Sequence, residues 1–156
     1  MSTAPKFFCD EMLMRLGRWL RAAGYDTAIA DNGERDRDIL QRARREGRLL
    51  LTRDRKLCEH RGAADTVILL QSERLDEQAR ELRQRLNLDW LHNPFSRCLV
   101  CNTPLQTGAP SAAEIPDDVD RDSLRHCPGC GRVYWDGSHV RRMRARLAAW
   151  QADSRS

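Results

Sequence analysis

The sequence contains no run approaching the roughly 18 apolar residues that a transmembrane helix requires. Its first residues, Met-Ser-Thr-Ala-Pro-Lys, lack the apolar core of a secretory signal, so the expected location is the cytoplasm. Disulfides do not persist there, and the six cysteines need another explanation. No internal repeat is present, which excludes a solenoid or array. Lysine is almost missing, for 25 of the 27 basic residues are arginine. Arginine suits bidentate phosphate recognition, but a GC-rich genome produces the same excess without any function. Only local clusters of it carry weight.

What remains describes a soluble globular chain. Its 156 residues, 40% apolar and 32% charged with a net charge of +4, suffice for one ordinary domain or a small domain with an appendage. Residues 48–54, Arg-Leu-Leu-Leu-Thr-Arg-Asp, read as a buried strand ending in a hydroxyl and a carboxylate. Lys6-Phe7-Phe8-Cys9 runs into Asp10 in the same way. Short strands are also predicted at 27–30 and 66–70. Helices are predicted from Asp10 to Gly24, over 36–46 and over 74–87, the last capped by Ser72, with a short helix or turn at 55–62. Strands alternating with helices imply a three-layer α/β/α parallel sheet whose ligands sit beyond the carboxyl ends of the strands. Asp10, Asp31 and Asp54 fall at that edge, and Asp38 joins them from the first turn of its helix. Sixteen acids precede residue 94, so placement, not acidity, singles these out.

Asp10, Asp38 and Asp54 form the candidate Mg²⁺ or Mn²⁺ site, because clustered carboxylates repel one another unless a cation joins them. Asp36 competes with Asp38 for the third place, its alternative role being a helix cap. Thr52 either holds a carboxylate or packs at the strand end. Arg53, Arg55 and Lys56 stand beside the site and can meet a substrate phosphate. Arg15, Arg18 and Arg21 lie off the apolar face of the first helix and are expected to be exposed, either as a solvated face or in contact with phosphates.

Composition changes near His92-Asn93-Pro94, which divides the chain into 1–93 and 94–156. Cys98-x-x-Cys101 and Cys127-x-x-Cys130, separated by 25 residues, offer four thiolates at the spacing of a structural Zn²⁺ site, with Gly131 suited to the tight turn. His126 and His139 are read as bystanders. Over 138–150, Val140, Met143, Leu147 and Trp150 recur at helical spacing beside Arg141, Arg142, Arg144 and Arg146. This helix either grips nucleic acid or packs on the first domain and shows its arginines to water. Trp135 either stacks on a base or packs on the metal knuckle.

Together these residues resemble a PIN-like ribonuclease domain. They are most similar to the family named for the C-terminal RNase domain of the mutator exonuclease (Mut-seven C-terminal), whose prokaryotic members carry a zinc ribbon. The likeness rests on Phe8-x-Asp10-x-Met12-Leu13-x-x-Leu16-x-x-Trp19-Leu20-Arg21-x-x-Gly24-Tyr25-Asp26 and on Leu51-Thr52-Arg53-Asp54. In the ribbon it rests on Cys127-Pro128-x-Cys130-Gly131-x-Val133-Tyr134-Trp135-x-Gly137-Ser138-His139. The resemblance implies metal-dependent cleavage of RNA, single-stranded in preference, with Asp10, Asp38 and Asp54 as the acidic set. PIN nucleases commonly add a fourth acid after the Thr-x-Asp strand, whereas here Arg55-Lys56 follow and Asp65 precedes a strand. A non-catalytic nucleic-acid-binding protein of the same fold is the alternative. A phosphatase would place an acid where Met12 stands, and a receiver-like module would place a lysine after the fourth strand, where none occurs.

Overall fold

The computed structural model describes residues 3–153. Four parallel strands, β1 (Lys6–Cys9), β2 (Thr27–Ile29), β3 (Arg48–Thr52) and β4 (Val67–Leu69), lie in the order β2-β1-β3-β4. Helices α1 (Met14–Ala22), α2 (Asp36–Glu46), α3 (Arg55–Cys58) and α4 (Leu75–Leu86) connect and follow them. Side chains of a strand alternate between faces, and the two buried clusters divide accordingly. Phe7, Cys9 and Leu51 face α1 and α4, while Phe8 and Leu50 face α2 and α3. The chain steps from β1 to β2 in one direction over the first face. It steps back to β3 and on to β4 over the second, as a constant crossover hand requires.

The elements follow the predicted pattern with local shifts. A 3-10 turn, Glu11–Leu13, precedes α1, because Asp10 accepts the Met12 N–H and caps that turn. Ser72 is not the cap of α4. Arg74 stands at that position without a side-chain cap, and Glu81 instead takes the N–H groups of Gln71 and Ser72. Arg21 is buried, contrary to the exposed position expected for it, and its guanidinium is satisfied there by the carbonyls of Thr27, Leu99 and Val100.

Past residue 93 the architecture changes to a small antiparallel sheet of β5 (Gln106–Thr107), β6 (Arg125–His126) and β7 (Val133–Tyr134), followed by α5 (Ser138–Ala152). The hydrophobic core does not divide there. Leu147 and Trp150 of α5 are buried in the same cluster as α1 and α4. Trp150 packs edge-on against Trp19 and Trp90, with centroids 4.9 and 4.8 Å away, and its indole N–H donates to Asp76 at 2.8 Å. Among the described residues, no helix is long and apolar enough to cross a membrane.

Candidate active site and metal centre

The chain leaves β1 toward β2 and leaves β3 toward β4, so the loops after β1 and β3 diverge from neighbouring strands. Such a switch point opens a crevice at the carboxyl edge of the sheet. Asp10 and Asp54 are the acids that close these two strands. The register Cys9–Leu51 places Asp10 beside Thr52. The fully buried Thr52 hydroxyl donates to Oδ2 of Asp10 at 2.5 Å and accepts the Asp54 N–H at 3.0 Å. One small side chain thus ties the two strand-end acids together. Oδ1 of Asp10 takes the Met12 N–H, and Oδ1 of Asp54 takes the Lys56 N–H at 2.9 Å, capping α3.

Burial pushes the Asp10 carboxyl above its ordinary value. The bonds from Thr52 and Met12 pull it down without cancelling the rise, and the charge of Asp54 adds to it. Around both acids lies a cleft of about 80 Å³, also lined by Glu11, Asp31, Glu34 and Asp36. Asp38 is exposed and does not line the cleft, whereas Asp36, two residues earlier, does. Helical rotation explains the exchange. Ile39 and Leu40 must enter the core under β1 and β3, which leaves Asp36 toward the cleft and Asp38 toward water. Glu34 accepts the Asp31 N–H, so this loop is held by its own acids. No acid that follows Asp54 in the sequence lines the cleft. Besides Glu11, which directly follows Asp10, the further acids of the cleft come from the segment between β2 and the start of α2.

The basic neighbours differ in their freedom. Arg55 and Lys56 are exposed on α3. Arg53 pairs with the exposed Glu73 at 3.3 Å, and its Nε is buried without a partner among the described residues.

Cys98, Cys101, Cys127 and Cys130 bring their sulfurs within 4.8 Å of one another, a group that could hold a metal such as zinc. Among the described residues, no three carboxylates converge as closely. The cysteines form no disulfides. Each knuckle ends in a left-handed residue directly after its second cysteine, Asn102 (φ 71°) and Gly131 (φ 80°). Asparagine and glycine are the residues that tolerate this conformation. Bonds from Thr103 draw the Cys101 thiol down, favouring the thiolate that a metal requires, while burial pushes the neighbouring Cys127 thiol up. His126 meets the Gly108 carbonyl at 3.0 Å and stays outside the sulfur cluster.

This unit is fastened to the sheet. Nε of Arg21 donates to the Thr27 carbonyl, and Nη1 donates to the Leu99 and Val100 carbonyls of the first knuckle, both at 3.0 Å. Asn102 accepts the Thr27 N–H and donates to Asp26 at 2.6 Å, and Asp26 also receives Arg48. Trp135 is half-buried and lies across Gly137, where a Cβ would come within 3.0 Å of its indole nitrogen. It lines two grooves, of about 190 and 380 Å³, whose walls both include Tyr134 and Val140. In α5, Arg141 donates to the Asp136 carbonyl, Arg142 is exposed, and Arg144 lies over the Phe95 ring at 5.1 Å. The helix therefore packs on the sheet domain through Leu147 and Trp150 and keeps these arginines outside.

Residues 5–147 match the family model described as Mut7-C RNAse domain. The chain is 37% identical over 103 residues to the exonuclease mut-7 homolog of Homo sapiens. That alignment covers 64% of this chain and 12% of the human protein. No solved structure matches.

Proposed function

Because the chain belongs to the Mut7-C RNAse domain family, we propose that it is a ribonuclease that hydrolyses phosphodiester bonds of single-stranded RNA at the carboxyl edge of a PIN-like sheet. The observation that carries this reading is the pair of strand-end acids, Asp10 and Asp54, joined through Thr52 at the switch point.

The donors in the cleft are carboxylates, which suit Mg²⁺ or Mn²⁺, and these ions keep much of their water, so one or two direct ligands suffice. Asp10 and Asp54 would hold the ion, with Asp36 as the third acid in place of Asp38. When bound, such an ion supplies positive charge at the phosphate and makes water a better nucleophile. The chain's own residues orient the parts. Thr52 and the Met12 N–H fix both oxygens of Asp10, so that carboxylate cannot rotate away when the cation arrives. Among the described residues nothing bonds Oδ2 of Asp54, which leaves it available. Arg55 and Lys56 flank the phosphate path. Arg53 can join them, since its exposed partner Glu73 holds it weakly.

In this reading the four cysteines make a zinc ribbon around a structural Zn²⁺. The ribbon, with Trp135 and the outward Arg141, Arg142 and Arg144, assists in holding the strand. The test is cleavage of single-stranded RNA with Mg²⁺ or Mn²⁺ by wild type, Asp10→Asn and Asp54→Asn. Both variants are expected to lose activity. Equal rates in all three would replace the enzyme with a non-catalytic RNA-binding protein.

A further inference from the structure

Among the described residues, four large hydrophobic side chains are exposed: Met12 (69%), Met14 (45%), Leu91 (39%) and Val100 (42%). Three of the four gather along one trench. Met12 lines the acid cleft, while Met14 and Val100 line an adjoining groove of about 350 Å³. The two hollows adjoin, with Ala30 and Asp31 lining both. Arg18 and Asn32 complete the polar part of the groove wall.

The charge changes sign along this trench. The cleft is lined by acids, whereas the groove shares Asp31 with it and adds Arg18, exposed and without an ion pair among the described residues, beside the buried Arg21. Arg21 is committed to three carbonyls, two of them at Leu99 and Val100. Its role here is to pin the knuckle tip so that Val100 becomes a wall of the groove. The cysteine unit thus contributes directly to a surface next to the strand-end acids.

We propose that this groove is the subsite for the nucleotide adjoining the scissile phosphate of an RNA strand. Resting on the ribonuclease reading above, it adds the position of the neighbouring base and phosphate. The base lies between Met14 and Val100, since thioether and aliphatic surfaces pack well on aromatic faces. Its phosphate meets Arg18. Met14 and Val100 carry no hydrogen-bond code for base edges, so stacking here tolerates any base, and a sequence preference would come from Asn32 or Asp31 at the polar wall.

The test measures binding, so that it stands apart from turnover. RNA affinity is compared for Asp54→Asn, which keeps the strand intact, and for the same protein carrying Met14→Ala and Arg18→Ala, with metal content and circular dichroism matched. The added pair is expected to weaken binding by about tenfold or more, and Arg18→Ala alone to lower the salt slope by about one. Strands containing 4-thiouridine are expected to photocrosslink to peptides bearing Met14 or Val100. Unchanged affinity, or crosslinks confined to the Trp135 grooves, would overturn the subsite while leaving the nuclease intact. If wild type fails to cleave although the groove variants lose binding, the ribonuclease reading falls and the groove survives as an RNA-binding surface.

Discussion

Replacing Thr52 with valine would keep its shape and remove its hydroxyl. Oδ2 of Asp10 and the Asp54 N–H would then lose their partner in a buried place. Leaving such groups unsatisfied costs about 1–3 kcal/mol, which a urea titration would register as a lower midpoint. Thr52→Val should also slow RNA cleavage, and Thr52→Ser should restore both properties. Activity unchanged in the valine variant would show that the relay does not orient the acids. Asp10 adds a pH dependence. Its folded-state pKa is raised, so between the ordinary carboxyl value and the raised one the folded protein holds a proton that the unfolded chain has released. Stability without metal therefore falls as pH rises through that window, and above it the buried charge is a standing penalty. A divalent cation competes with this proton. The rise in melting temperature caused by Mn²⁺ should be largest above the raised pKa and should shrink as pH falls through it. A rise independent of pH would exclude Asp10 as a ligand.

Among the elements, the seam between β2 and the first knuckle depends on Asn102 and Asp26. Asn102→Gly keeps the left-handed backbone and deletes the side chain, leaving the Thr27 N–H without its acceptor. The expected loss is about 1–3 kcal/mol, with the metal content per chain unchanged. If the metal is lost as well, Asn102 serves the knuckle more than the seam. Burial raises the Asp26 carboxyl, but bonds from Asn102 and Arg48 outweigh it and hold the pKa below its ordinary value. Its contribution is present above the ordinary carboxyl pKa and is lost as pH falls through the lowered one. Acid should therefore loosen this seam, and Asp26→Asn should flatten that limb of the stability profile.

For the whole molecule, the shared core predicts the response to metal removal. Trp150 packs with Trp19 and Trp90, and Arg21 holds the knuckle from α1, so the cysteine unit has little independence. Chelation, or Cys127→Ala, is expected to lower the melting temperature of the entire chain in a single calorimetric transition. Two separated transitions would instead indicate independent units on either side of residue 93. Trp150→Ala should cost about 3–5 kcal/mol and expose Trp19 and Trp90 to fluorescence quenchers.

What depends on neighbours along the chain could be read from the residues alone. Leu49-Leu50-Leu51 reads as a buried strand, and the alternation of strands with helices left a parallel sheet as its partner arrangement. Asp10 and Asp54 were legible because a strand-end acid needs no knowledge of the rest of the fold. The two C-x-x-C pairs were legible because their spacing is set within each turn. Tertiary structure decided what depends on rotation and on distant contacts. Whether Asp36 or Asp38 faces the cleft turns on how α2 rotates to bury Ile39 and Leu40, and both acids satisfy the same one-dimensional pattern. Arg21 reads as solvent-facing until the Leu99 and Val100 carbonyls, nearly eighty positions away, are brought to it. Composition marks a boundary near residue 93, yet Leu147 and Trp150 return across it to the first core, where α5 helps to cover the apolar faces of α1 and α4.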